Sequence, residues 1–79
     1  MVALQDALSG VIAPLLSNPE NFHLSLTTGA NSVLVQIICD SHDIGKVVGR
    51  QGNTFKALYL LGSAISAKQG LRLNLLIIE

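Results

Sequence analysis

Two strand-like segments separated by a long helical stretch constrain the fold more than any other feature of the sequence. Residues 33–39 and 71–78 are rich in Val, Ile and Leu, and in each segment the residues of one parity form an apolar face. The residues between them carry apolar side chains at helical spacing instead. This long connection predicts that the two strands are parallel neighbours in one sheet, because parallel strands need a crossover, which is usually helical.

The first half of the chain predicts a helix followed by a β-hairpin. Residues 3–16 have a helical apolar pattern. Pro14 lies inside this pattern and predicts a kink, because proline cannot donate a hydrogen bond to Gly10, whose missing side chain leaves room for a bend. Residues 22–27 alternate apolar and polar side chains, and the turn residues 28–31 join this strand to the next one as an antiparallel pair.

The crossover contains a short helix, a glycine-bounded turn and a long helix. Asp40 or Ser41 can cap the short helix, and Asp43 adds negative charge to its first turn. The long helix follows the turn and ends near Gly70. The complete order is helix, strand, strand, helix, helix, strand. It predicts a single α+β domain over residues 1–79, with three helices on one face of a mixed three-stranded sheet.

Composition excludes several classes of protein. Apolar residues make up 49% of the 79 residues and charged residues only 13%, which is too apolar for a disordered chain. No uninterrupted apolar run reaches the roughly 18 residues that a membrane span needs. The segment MVALQDALSGVIAPLL lacks the positive residues that precede the apolar part of a secretion signal, and Cys39 is the single cysteine. We therefore expect a cytoplasmic protein without a membrane span or a disulfide.

The zero net charge hides an asymmetric distribution. All five basic residues, and no acidic residue, lie between positions 44 and 78. The isoelectric point of about 6.7 argues against a strongly basic nucleic-acid binder, whereas the local block predicts a site for an anion. Chance clustering is the alternative, because the charges are few.

The most specific functional signal lies in residues 44–55, IGKVVGRQGNTF. Two helices meet there at a turn bounded by Gly49 and Gly52, with Arg50 and Gln51 between them. Glycine permits a positive φ angle and a close approach by another backbone. The second helix begins at the turn, so its free amides and positive dipole end lie beside the charge of Arg50. This combination suits the phosphates of a nucleic-acid backbone.

This motif and the order of elements resemble those of a type II KH domain, in which a GXXG turn clamps about four nucleotides of single-stranded nucleic acid. The segment VVGRQGNTF matches the family pattern of two aliphatic residues, GXXG, two variable residues and a hydrophobic residue. The size of the chain and the string IGKVVGRQGNTFKAL are similar to those of KhpA, a family of small bacterial RNA-binding proteins with a single KH domain. The resemblance covers the whole chain.

The resemblance implies a non-catalytic single-stranded RNA-binding protein that acts as an RNA chaperone or post-transcriptional regulator. By position in the motif, the four turn residues would hold phosphates, the short helix would form the floor of a groove, and Lys46 and Lys56 would lie at the groove's edges. Asn53 stands where relatives usually have a basic residue. The residues expected to bind RNA are Ile44, Gly45, Lys46, Val47, Val48, Gly49, Arg50, Gln51, Gly52, Asn53 and Lys56.

Other kinds of site receive little support. The glycines do not form a dinucleotide-binding fingerprint, and none is followed by the Lys-Ser or Lys-Thr of a Walker loop. His42 beside Asp40 and Asp43 could suggest a metal, but helix capping explains these residues better. No Ser-His-Asp or Cys-His arrangement has a spacing that favours catalysis. We therefore expect no enzymatic activity, no metal and no cofactor.

An apolar surplus predicts a protein partner. One apolar set falls on the sheet face away from the helices, and a second forms a stripe on the long helix; the sets are Leu34, Ile38, Leu76 and Ile78, and Ala57, Leu60, Ala64 and Ala67. A small monomer rarely exposes so much apolar surface, although scattered surface residues are the alternative. We expect a homodimer, or a heterodimer with a related domain, and the resemblance to KhpA implies a larger KH-domain protein as that partner. A second functional hypothesis follows: a KH-like scaffold for protein interaction, with weak or lost RNA binding.

Overall fold

The computed structural model describes residues 2–78, which form three α-helices, three β-strands and four short 3₁₀ turns. The helices are α1 (Val2–Ile12), α2 (Ile44–Val48) and α3 (Asn53–Lys68), and the strands are β1 (His23–Thr28), β2 (Ser32–Ile38) and β3 (Arg72–Ile78). The 3₁₀ turns are Ala13–Leu15, Pro19–Asn21, Ser41–Asp43 and Arg50–Gly52. The order of helices and strands is the predicted one. No helix within residues 2–78 is both long and apolar enough to cross a membrane.

The sheet has the order β1-β2-β3, with β2 in the centre. β1 and β2 pair antiparallel, and the N–H of Gly29 donates to the carbonyl of Ser32 at 2.7 Å in the turn between them. β2 and β3 pair parallel, as the long crossover predicts. Leu26, Val35 and Leu75 lie side by side in the register and mark the inner face. The outer edge of β3 pairs with no strand within the described residues.

The helices cover one face of the sheet, and side chains from both layers form the core. The buried apolar residues are Leu4, Leu8, Ile12, Val33, Val35, Ile37, Val47, Leu58, Leu73 and Leu75. On the opposite sheet face, Ile38 and Leu76 remain 36% and 49% exposed. α3 lies close to β3 at Gly62, where an added Cβ would be 2.7 Å from a methyl carbon of Leu73. The predicted α+β fold, a mixed three-stranded sheet with three helices, is confirmed.

The helical segment predicted over residues 3–16 is observed as two consecutive pieces, an α-helix and a 3₁₀ turn, which meet beside Pro14. α1 ends at Ile12, and Pro14 lies in the first turn of the 3₁₀ helix that follows. Proline cannot donate to the carbonyl of Gly10, so the α-helical hydrogen-bond pattern stops there and the chain continues as a 3₁₀ turn as far as Leu15. An added Cβ on Gly10 would meet no atom within 4 Å, so this glycine is not needed to make room for a bend.

Candidate nucleic-acid interface

The turn between α2 and α3 depends on positive φ angles. Gly49, Gln51 and Gly52 have φ angles of 77°, 56° and 75°. An added Cβ on Gly49 would lie 2.8 Å from the backbone nitrogen of Thr54, so both the φ angle and the lack of space require glycine there. Gln51 is the one non-glycine residue with a positive φ angle among residues 2–78, a conformation that costs about 1–2 kcal/mol. Such strain is concentrated at functional sites.

The tip of this turn is open to solvent. Arg50 and Gln51 are exposed, and neither takes part in a side-chain hydrogen bond found within residues 2–78. α3 begins directly after the turn, at Asn53, so the positive end of its dipole faces the tip. A guanidinium, an amide and the start of a helix therefore face solvent together, an arrangement that favours an anion.

An apolar groove of about 410 Å³, which we call the turn groove, lies beside the turn. Its helix wall consists of Val48, Gly52, Phe55 and Lys56, and its sheet wall consists of residues 75–77 of β3. Lys56 supplies the charged group in these walls. Because β3 is an edge strand, backbone N–H and C=O groups on its outer side are available to a ligand. The turn groove therefore offers apolar walls, one cation and a free strand edge.

A second apolar groove, which we call the helix groove, lies between α1 and α3 and has a volume of about 420 Å³. Its walls are formed by Val11, Leu15, Asn53, Thr54, Ala57, Leu58 and Leu61. Leu60, which adjoins Leu61 on α3, is 68% exposed, the highest value among the exposed large apolar side chains of residues 2–78. The helix groove thus lies beside an unusually exposed leucine.

Six of the predicted RNA-binding residues lie in or next to the turn groove. Val48, Gly52 and Lys56 are part of its helix wall. Gly49, Arg50 and Gln51 complete the turn, which continues directly into this wall.

The other predicted RNA-binding residues have different surroundings. Val47 is fully buried, so it supports α2 from the core and cannot touch a ligand. Asn53 lines the helix groove. Ile44 is half-buried and Gly45 is exposed on α2, and neither lines either groove. Lys46 has a partner within the protein, the buried carboxylate of Asp43.

The sheet wall of the turn groove was missed from the sequence. Residues 75–77 line this groove, and so does Phe55, which is half-buried and also packs against the core. The edge position of β3 was a signal that could have indicated this wall. A hairpin places β1 on one side of β2, so a parallel β3 must take the other side and leave its own outer edge free.

Asp43 has a role that the sequence pattern did not indicate. Instead of adding charge to an open helical turn, it is fully buried and makes no hydrogen bond to the amides of α2. Its two carboxylate oxygens accept the backbone N–H groups of Ser17 and Asn18 at 3.0 and 2.9 Å. The bond from Ser17 lowers the pKa of Asp43, burial opposes this effect, and Asn18 and Lys46 lower the pKa further.

Asp40 caps the short 3₁₀ turn, as predicted. Its carboxylate accepts the backbone N–H of His42 at 2.9 Å, and this bond is the main cause that lowers the pKa of Asp40. The same oxygen lies 2.9 Å from Nδ1 of the His42 ring. Within residues 2–78, no group of three or more His, Cys, Asp and Glu side chains is placed to hold a metal ion.

The order of the elements, the mixed sheet and the GXXG turn between α2 and α3 define a KH domain of the second type. The family model described as "KhpA/KhpB, KH domain" matches residues 5–77. The chain therefore belongs to the KhpA/KhpB KH-domain family.

Several relatives carry the name RNA-binding protein KhpA and align with nearly the whole chain. The protein from Aquifex aeolicus is 32% identical over 79 residues, which cover 100% of both chains. The protein from Chlamydia trachomatis is 28% identical over 76 residues, or 96% of this chain and 97% of the relative. The protein from Listeria monocytogenes is 26% identical over 76 residues, or 96% and 100%. No solved structure matches the chain.

Proposed function

We propose that this protein binds single-stranded RNA, without catalysis, through the GXXG turn and the turn groove. The observation that carries the proposal is the exposed cationic turn directly beside an apolar groove with a free strand edge. The name of the relatives, RNA-binding protein, supports the same function. The role we propose is RNA chaperoning or post-transcriptional regulation in the cytoplasm.

Phosphates of the RNA bind at the turn in this proposal. The glycines at positions 49 and 52 leave the backbone bare, so that a sugar-phosphate chain can approach closely. Arg50 supplies a full positive charge, and the positive end of α3 adds a partial one. Lys56, one helical turn further on, supplies a second cation in the wall of the turn groove.

The bases lie in the turn groove itself. The apolar walls of the turn groove allow bases to pack against them and become buried from water. These walls are formed by Val48, Phe55 and residues 75–77. Free N–H and C=O groups on the outer edge of β3 can donate and accept hydrogen bonds at the edges of the bases. Because Lys56 is the polar side chain in these walls, discrimination among bases depends mainly on the backbone of β3.

Binding should depend only moderately on salt. For a single strand, the slope of log K against log salt concentration is about −0.7 per neutralised phosphate. The two cations at this site, Arg50 and Lys56, therefore give a slope on the order of −1.4. A slope near zero, or one far steeper, would contradict the proposed site.

The experiment that tests the proposal is the double substitution Arg50→Asp with Gln51→Asp. It places two negative charges where the phosphates should approach, and it changes neither the glycines nor the core. We expect RNA binding to be lost, with a dissociation constant for a short single-stranded RNA at least about tenfold higher, which is 1.4 kcal/mol. Circular dichroism and the unfolding midpoint should stay close to those of the wild type.

A matched control is available at the other end of α3. Lys68→Asp with Gln69→Asp makes the same change in charge at two exposed residues far along the helix. This control should bind RNA nearly as well as the wild type. Equal loss in both variants would indicate a non-specific effect of net charge, and retained binding in the turn variant would remove the assignment of phosphates to the turn.

We also propose that the helix groove is covered by a second copy of the chain, with a heterodimer of related KH domains as the other expected result. Leu60 projects beside the groove, and Ala57 and Ala64 on the same stripe are small and exposed, so two α3 helices can approach closely. In a dimer with twofold symmetry, each Leu60 can fill the partner's helix groove. This arrangement leaves the turn groove of each copy free.

A protein-interaction scaffold without RNA binding is the second candidate function, and the same exposed Leu60 favours it. The two candidates give different results with wild-type protein. The scaffold associates with itself or with a related domain but shows no salt-dependent binding of single-stranded RNA. The RNA-binding protein shows both properties.

A further inference from the structure

The side-chain hydrogen bonds found within residues 2–78 are concentrated at one place. All of them lie between or within two segments, residues 17–21 and residues 40–46. The first segment links the N-terminal helical region to β1, and the second leads into and through most of α2, which ends at the GXXG turn. The helix next to the proposed RNA site is thus attached to a distant part of the chain by specific polar contacts.

Lys46 is part of this network and faces away from the turn groove. Its ammonium lies 3.5 Å from Oδ1 of Asp43 and donates to the hydroxyl of Ser17. Asp43 and Lys46 are three residues apart and so share one side of the helix. Val48, which lines the turn groove, is two residues after Lys46 and therefore about 200° away around the helix axis.

The positive charge of Lys46 is needed to compensate the buried carboxylate of Asp43. The carboxylate of Asp43 is fully buried, and its other partners are two uncharged backbone N–H groups. A buried carboxylate that loses its cation is left with an uncompensated charge, which is strongly unfavourable. If Lys46 turned towards an RNA phosphate, it would leave Asp43 in this state. Arg50, by contrast, forms no ion pair with any of the described residues, so its charge is available to a ligand.

We infer that Lys46 is not an RNA ligand and instead closes a clasp, formed by Ser17, Asn18, Asp43 and Lys46, that fixes α2 and thereby positions the GXXG turn. This inference rests on the proposed function for the identity of the ligand, but the clasp itself does not. From the sequence motif alone, Lys46 is expected to bind RNA together with Arg50 and Lys56. In the structure, Lys46 contacts Asp43 and Ser17 instead and does not line the turn groove.

The test compares three single substitutions that each remove one positive charge: Lys46→Gln, Arg50→Gln and Lys56→Gln. For each variant, the affinity for one short single-stranded RNA is measured over a range of salt concentrations, and thermal unfolding is measured in parallel. Arg50→Gln and Lys56→Gln should each reduce the steepness of the salt dependence by about 0.7, the value for one phosphate contact. Lys46→Gln should leave the slope unchanged and lower the melting temperature by more than about 4–8 °C, the range for a small loss of stability in a domain of this size, because the buried carboxylate of Asp43 loses its cation.

A further variant tests the clasp even if Lys46→Gln unfolds the protein. Ser17→Ala removes only the hydroxyl that accepts from Lys46, so it should lower the melting temperature slightly and leave the salt slope unchanged. A flatter slope in Lys46→Gln, equal to that in Arg50→Gln, overturns the inference. So does an unchanged melting temperature in both Lys46→Gln and Ser17→Ala. Absence of RNA binding by the wild type defeats the proposed function instead, and the melting temperatures still decide whether the clasp exists.

Discussion

The turn groove and the helix groove have nearly the same volume, about 410 and 420 Å³, but their surroundings differ. The turn groove has Lys56 in its wall, Arg50 in the adjoining turn and the free edge of β3 along one side. The helix groove has no charged residue in its walls and lies beside the exposed Leu60. Size and apolar lining therefore do not distinguish the groove that we propose for RNA from the groove that we propose for a second copy of the chain. In this proposal, the charges and free backbone groups at their rims distinguish them.

The two grooves also share one structural support. Asn53 and Thr54, at the start of α3, line the helix groove, and the next two residues, Phe55 and Lys56, line the turn groove. A substitution near the start of α3 therefore disturbs both surfaces. Residues further from this point, such as Leu60, allow the two surfaces to be tested separately.

The largest expected effect comes from Leu60→Glu, which should separate the functions of the two grooves. Burial of a leucine side chain contributes roughly 1.5–3 kcal/mol, so two copies at a symmetric interface together contribute about 3 kcal/mol or more. The dimer dissociation constant should therefore rise by a factor of about 100 or more, as measured by sedimentation or light scattering. RNA binding by each monomer should persist.

The control for Leu60→Glu is a variant of the other groove. Arg50→Asp with Gln51→Asp should have the opposite pattern, with lost RNA binding and an unchanged oligomeric state. A wild type that is already monomeric at tens of micromolar would remove the dimer proposal. Unfolding of Leu60→Glu would contradict the exposed position of Leu60.

An intermediate effect is expected from acid, because of Asp43. Hydrogen bonding lowers the pKa of Asp43 in the folded protein below its usual value, so its stabilising contribution is present above the unfolded pKa and is lost as the pH falls through the folded pKa. The melting temperature of the wild type should therefore be constant down to about pH 5 and fall progressively below it, through the folded pKa of Asp43. The fall should be smaller in Asp43→Asn, which cannot titrate at this position. Equal falls in both proteins would show that other groups, such as Asp40, dominate the acid response.

The smallest effect is expected from Gly45→Ala. Gly45 is exposed on α2, and an added Cβ would meet no atom of the protein within 4 Å. Alanine in this helix should therefore raise the free energy of unfolding by about 0.5–1 kcal/mol. If RNA approaches the backbone of α2, the same variant should bind RNA more weakly despite its greater stability. Unchanged affinity would restrict the RNA site to the turn and the turn groove.

Local patterns were sufficient to predict much of the fold. Each predicted strand differs from the observed one by no more than one residue at either end, because alternation and turn residues act over short distances. At Pro14 the sequence predicts a disturbance of the helix, but it does not tell whether the helix bends there or changes to a 3₁₀ turn, as it does in the structure. The GXXG turn was located correctly because its glycines serve local needs, namely positive φ angles and the close contact of Gly49 with Thr54.

The rest of the candidate site depends on contacts between distant residues. Asp43 bonds to the amides of residues 25 and 26 positions earlier, and no periodicity within the chain signals such a contact. The same is true of the sheet wall of the turn groove, where residues 75–77 face a helix that starts at Asn53. Val47 and Lys46 were placed in the RNA site because they belong to the motif. Only the packing shows that one is in the core and the other is paired with Asp43.

The parallel pairing of β2 with β3 has a consequence for the order in which the protein is made. β3 supplies one wall of the turn groove, yet it follows α2, the turn and α3 in the chain. During translation, which adds about 5–20 residues per second, the turn and its cation leave the ribosome before the strand that completes the groove. If RNA binds as proposed, a nascent chain attracts phosphates through Arg50 before it can hold bases. Chains stopped before and after β3, each held on the ribosome by a spacer long enough to clear the exit tunnel, should show weak binding first and full binding later.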